Sequence, residues 1–236
     1  MKKSHMLFIG AVSLSMAALP AATPVFEEGF TQAQEGALLK DSAGWSVHNG
    51  AGSAQATVSA GFAGLGARVT GNEQFRLLIP EDKAISLTSG GGGELRLKLR
   101  VMADNDGYTL TQVLLGQSDG VHGVSVRFNG GTHDGFSDNS IQVSTGGESW
   151  GKAAWETLPD SGWKRETWYE VVIAITASDE ATVTIREADS GTALVDQHRA
   201  GVIGSLGKFT QLNTIIIGNG GTARAFDFDD ISLSQL

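Results

Sequence analysis

The chain contains no cysteine. That absence removes disulfides, thiol nucleophiles and thiolate metal sites together, leaving packing, hydrogen bonds or a hard cation on oxygen ligands to hold the fold. Proline is scarce, 4 residues in 236, and no Pro-rich linker divides the chain. Basic residues are outnumbered, with 17 Lys and Arg against 26 Asp and Glu and a formal charge of −9. Phosphate backbones repel such a surface, and no basic stretch offsets it, so nucleic acid is excluded as a partner. No apolar run reaches the roughly 20 residues of a membrane-spanning helix. Neither a Gly-Lys-Ser/Thr phosphate loop nor a Gly-x-Ser-x-Gly nucleophile element is present. The Gly90 to Gly93 run therefore reads as a loop before a strand.

What is present begins with Met1, Lys2 and Lys3, an apolar run from Met6 to Leu19, and small residues at Ala21 and Ala22. This is the layout of a secretory signal peptide, so residues 1–22 are set aside as a signal peptide and the protein is expected to be exported: secreted, periplasmic or on a cell surface. Residues 23–236 are expected to form one domain, with no membrane span in the mature chain. Loss of Lys2 and Lys3 takes the net charge to about −11. At 41% hydrophobic residues the chain has material for a core.

Helical periodicity is missing after residue 23, whereas period-two alternation recurs throughout. From Glu94 to Val101, the polar Glu94, Arg96, Lys98 and Arg100 interleave with Leu95, Leu97, Leu99 and Val101, which predicts one wet and one buried face. Similar runs carry Val124, Val126 and Phe128, then Ile141 and Val143, then Tyr169, Val171, Ile173 and Ile175, then Val183 and Ile185. Between them, Asp106-Gly107, Asp119-Gly120, Asn129-Gly130-Gly131, Asp134-Gly135 and Asn219-Gly220-Gly221 read as tight turns of antiparallel sheets. The pattern is all-β.

The stretch from Trp168 to Ile175, followed by Ala181 to Ile185 and Gly191, resembles the Trp-Tyr strand and hairpin of concanavalin A-like jelly-roll domains, including the laminin-G-like group. Phe26-Glu27-Glu28-Gly29-Phe30 resembles that family's opening strand, and Phe226 to Leu233, with its Asp-Asp-Ile element, resembles its closing strand. The resemblance implies a two-sheet antiparallel jelly-roll β-sandwich with terminal strands side by side and a concave face that often holds a glycan. Enzymes share this fold, yet the Glu-x-Asp-x-x-Glu motif of its glucanase branch is missing. Of the Arg/Glu/Arg and Gln-x-His strands of its alginate-lyase-like branch there is only an echo, at Gly93-Glu94-Leu95-Arg96 and Thr111-Gln112-Val113-Leu114, with Leu114 where His would stand. A non-catalytic carbohydrate-binding protein is therefore expected, with a polysaccharide or other glycan as partner. The alternatives are a divergent lyase or hydrolase, for which Arg96, Arg100, Gln112 and Arg127 are the positions to inspect, and a structural or adhesive surface protein.

Two sets of site residues follow. On the closing strand, Phe226 and Phe228 share one face while Ile231 and Leu233 share the other, so the apolar phase switches at Asp229-Asp230. Either a β-bulge shifts the register or a carboxylate faces inward and needs a partner. Ca²⁺ held by Asp229 and Asp230, with Glu27 and Glu28 as co-ligands, is the expected cofactor; the resemblance implies a calcium near the termini. The alternative is a pair of solvated acids beside a bulge. The second set is Trp150, Trp155 and Trp163, in a Gly-containing stretch between strands, whose rings are candidates to stack on sugars. Asp104 to Gly107 reads as a turn, and His122 and His133, beside Asp134 and Asp138, as surface histidines.

Overall fold

The computed structural model describes residues 23–57, 60–88, 91–102, 109–118, 123–131, 139–145, 155–158, 161–176, 180–202, 210–220 and 225–236. Trp150, His122, His133, Asp134, Asp138 and the Asp104 to Gly107 run lie outside them. The described strands are β1 (Pro24–Glu28), β2 (Trp45–Asn49), β3 (Gln55–Thr57), β4 (Gly66–Val69), β5 (Gln74–Leu78), β6 (Ile85–Ser86), β7 (Gly93–Val101), β8 (Thr109–Gly116), β9 (Gly123–Gly130), β10 (Ser140–Ser144), β11 (Glu156–Leu158), β12 (Trp168–Ile175), β13 (Glu180–Glu187), β14 (Ala193–Val202), β15 (Gln211–Leu212), β16 (Thr214–Asn219) and β17 (Phe226–Gln235). Single-turn 3-10 segments, Leu39–Asp41 and Glu81–Lys83, are the described helical pieces. Among the described residues no helix is long and apolar enough to cross a membrane.

The strands form two large antiparallel sheets. One has the order β14-β13-β12-β7-β17-β4-β3, with β1 also on β17; the other runs β11-β10-β9-β8-β16-β5-β2. Period-two alternation sends one side of every strand into the space between them. From the first sheet come Leu95, Leu97, Leu99, Val171, Ile173, Phe226 and Phe228, and from the second Phe75, Val113, Val126, Phe128, Ile141 and Ile217, all in one buried cluster. The alternation predicted over Glu94 to Val101 is that of β7, whose odd-numbered residues are buried while Arg96 is exposed. The other apolar runs of the sequence likewise fall in β9, β10, β12 and β13. Asn129, read as a turn residue, instead lies inside β9, paired with Leu110 and Ser140. The turn residue with positive φ is Gly131, two positions later.

Strand β17 explains the phase switch. One flank pairs with β7 along its length, whereas the other pairs first with β4, through Phe226 to Phe228, and then with β1, from Ile231 onward. At the change of partner the β7 register shifts between Asp229 and Ser232, and Asp230 takes φ 51°. This bulge inserts one residue, so Phe226, Phe228, Ile231 and Leu233 all reach the same core. The terminal strands β1 and β17 lie side by side, as the resemblance implied.

Candidate functional site

The four carboxylates expected around Ca²⁺ do not gather as one ligand set. Asp229 is buried beneath the segment before β4: its Oδ2 accepts the Phe62 N–H at 2.9 Å and its Oδ1 the Asp230 N–H at 2.8 Å. Burial pushes its carboxyl above the usual range, opposed by these backbone donors. Asp230, thrown outward by the bulge, pairs with Lys98 Nζ at 2.8 Å. Glu28 Oε1 accepts the Phe30 N–H at 2.8 Å. Glu27, Glu28 and Asp230 line a shared cavity of about 520 Å³. Even so, among the described residues no three His, Asp or Glu side chains converge as a metal-binding group, and calcium takes six to eight oxygens. Those three carboxylates alone do not make up such a set.

The tryptophans separate as well. Trp163 is a core residue, 1% exposed, packed edge-on against Phe128, and its Nε1–H lies 3.2 Å from the carbonyl oxygens of both Asn129 and Ser140. It pins the segment after β11 to the sandwich and cannot stack on a ligand. Trp155, just before β11, is half-buried and lies face-on over the Arg127 guanidinium, 3.8 Å from its centre.

That contact belongs to a row the register assembles. On the seven-stranded sheet, the residues pointing away from the core include one level running straight across six strands: Thr157 opposite Gln142, Gln142 opposite Arg127, Arg127 opposite Gln112, Gln112 opposite Gly218, and Gly218 opposite Gln74. At strand spacing this row is about 24 Å long. Its members hold one another: Gln142 Nε2 donates to Thr157 Oγ1 at 3.2 Å, Arg127 Nη2 to Gln112 Oε1 at 3.3 Å, and Gln112 Nε2 to Ser125 Oγ at 3.3 Å. Gly218 is the gap in the row. A Cβ there would come within 2.5 Å of Gln74 Cγ, so the missing side chain is what lets Gln74 lie across the strand.

Beyond the exposed Thr157 at its edge, the row is withdrawn from solvent. Arg127 is 2% exposed, Gln112 1% and Gln142 0%, and Leu114 and Ile216 are buried on the same face one level along. Desolvation lowers the Arg127 pKa to about 10, which leaves the guanidinium cationic at neutral pH. In a poorly hydrated setting its hydrogen bonds and its contact with Trp155 are stronger than they would be in water.

The four positions singled out for a catalytic cluster are divided between the sheets. Gln112 and Arg127 meet in this row. Arg96 and Arg100 stand on the outer face of the other sheet, Arg96 with Glu94 at 2.6 Å and Arg100 with the buried Asp227 at 2.7 Å. Arg68 binds the same carboxylate through two nitrogens, and Trp168 packs under Arg100. Gln142 was not singled out, although its place between the core residues Ile141 and Val143 was a signal that it faces outward.

No described protein family and no curated protein matches the sequence. Solved structures do. A cellulose induced protein, Cip1, superposes with a TM-score of 0.53 at 10% identity, covering 89% of this chain and 96% of that one. The catalytic domain of a glycoside hydrolase family 131 protein from Coprinopsis cinerea gives 0.52 at 11% identity, covering 89% and 94%. The binding domain of Paraclostridial Mosquitocidal Protein 1 gives 0.50 at 13% identity over 89% of this chain and 48% of that one. Together with the two antiparallel sheets and the paired terminal strands, these likenesses establish the fold as a concanavalin A-like jelly-roll β-sandwich.

Proposed function

We propose that this chain is an exported carbohydrate-binding protein that holds a glycan against the outer face of its seven-stranded sheet without cleaving it. The observation that carries this reading is the chemistry of that face. Strands β5, β8, β9, β10 and β16 contribute amides, hydroxyls and the guanidiniums of Arg76 and Arg127, with Trp155 alongside, and contain no Asp, Glu, His or Tyr. Neutral hydrogen-bonding groups beside an aromatic ring suit a polyhydroxylated ligand. Glycoside hydrolysis, by contrast, needs two carboxyl groups at a fixed separation, which these strands do not supply. Likeness in fold to a glycoside hydrolase's catalytic domain supports saccharides as the ligand class. The signal-peptide layout of residues 1–22 supports export.

A glycan panel presented to residues 23–236, with Ca²⁺ and with EDTA, tests the reading while every binder is checked for released products. Binding without products is the expected result, and Arg127→Ala is expected to abolish it. Product release overturns the non-catalytic role; silence from a folded sample overturns the glycan reading. A calcium contribution would require Glu27, Glu28 and Asp230 to turn into their shared cavity, and the EDTA arm reads it directly.

A further inference from the structure

Two buried polar atoms beside Arg127 are left without a partner. Gln142 is 0% exposed, and its amide is oriented by the bond from Nε2 to Thr157, which leaves Oε1 with no donor. Trp155 Nε1 is buried with no acceptor, on the ring stacked over Arg127. One vacancy needs a donor and the other an acceptor. Orphaned groups of this kind are rare in folded proteins because each forfeits the hydrogen bonds it made to water.

Resting on the glycan reading above, we infer that the row selects neutral sugars over uronic acids, with Gln142 and Trp155 as the specificity-determining pair. A hydroxyl group donates one hydrogen bond and accepts others, so a single hydroxyl or an adjacent pair satisfies Gln142 Oε1 and Trp155 Nε1–H together. An ionised carboxylate only accepts. It would satisfy the indole and Arg127 but face Gln142 Oε1 oxygen to oxygen, leaving that acceptor buried and repelled. The chain's overall charge of −9 works in the same direction at long range, since it opposes the approach of a polyanion. In this structure the Thr157 hydroxyl accepts from Gln142 Nε2, so the amide presents its oxygen as the unpaired end.

Matched pairs test this: gluco-, manno- and galacto-oligosaccharides against counterparts of the same length and linkage whose C6 is oxidised to carboxylate, titrated calorimetrically against residues 23–236. The neutral member of the preferred pair is expected to bind at least about tenfold more tightly. Gln142→Met, close in volume, and Trp155→Phe, which leaves a smaller aromatic ring, delete the orphaned atoms, and each is expected to weaken neutral binding about tenfold. The readout that a purely structural role would not move is the ratio of neutral to uronate affinity, which Gln142→Met is expected to bring toward one. Tighter binding of the uronate, or wild-type affinity in both variants, overturns the selectivity while leaving glycan binding intact. Silence on both members of every pair overturns the glycan reading and this inference with it.

Discussion

Replacing Asp227 with Asn probes how the eight-stranded sheet is held on its outer side. Asp227 is fully buried, with Oδ1 2.7 Å from Arg68 Nε and Oδ2 2.9 Å from Arg68 Nη2 and 2.7 Å from Arg100 Nη2. Its three strands, β4, β17 and β7, are neighbours at one register level, so a single carboxylate ties them crosswise. Removing one partner of a fully buried ion pair costs about 3–5 kcal/mol, while exposed pairs are worth about 0–1 kcal/mol each. The Arg68 and Arg100 side chains retain 29% and 19% of their exposure, so the orphaned guanidinium groups regain some hydration. The expected loss therefore falls between these limits, at about 2–3 kcal/mol. For a domain of this length that is a fall in melting temperature of about 4–12 °C. Urea unfolding followed by tryptophan fluorescence should show the midpoint moving at constant m-value, with a smaller difference between wild type and variant in high salt. A loss below about 1 kcal/mol would refute the argument, because it would place Asp227 among ordinary surface pairs.

Asp229 gives a pH dependence of opposite sense to most carboxylates. Its pKa in the folded chain lies above the unfolded value, so between the two the folded state binds the proton more tightly and stability rises as pH falls. Urea midpoints of wild type and Asp229→Asn between pH 7 and pH 4 should therefore shift in favour of wild type toward the acid end; a shift the other way would show that the backbone donors outweigh burial. Gly218→Ala would place a Cβ 2.5 Å from Gln74 Cγ and 2.8 Å from Gln74 Cα. Crowding of that kind costs about 1–3 kcal/mol, and it should displace Gln74 from the row and weaken ligand binding, read by thermal melts and the same titrations.

Much of this architecture is legible in the sequence. Arg96, Lys98 and Arg100 alternate with leucines because the outer face of β7 keeps contact with water, and such contrast is what period-two reading detects. On β9 the contrast disappears. Every residue from Gly123 to Gly130 is buried, so Arg127 marks itself only by being a charge between Val126 and Phe128. Register was beyond reach: a strand pattern says which residues share a face, and not which strands are neighbours. Arg96 and Arg100 were for that reason grouped with Gln112 and Arg127, though they lie on opposite sheets. Trp163 was misjudged because indole serves equally as a sugar platform and as a core plug, and only its contacts with Phe128, Asn129 and Ser140 separate the two. At Asp229-Asp230 the alternative of a bulge was the one realised, since one inserted residue restores the core face at less cost than turning a carboxylate inward.

The position of β17 in its sheet has a consequence for how the chain reaches its native state. This strand is the last of the described strands in chain order, yet it sits between β7 on one flank and β4 and β1 on the other. A ribosome releasing the chain from its amino end therefore produces three strands whose common partner has not yet emerged. Their pairings close loops of well over a hundred residues, which makes them late and slow to form. Completion of the sheet thereby waits on β17, and a chain cut short before Phe226 would present open strand edges in place of a sandwich.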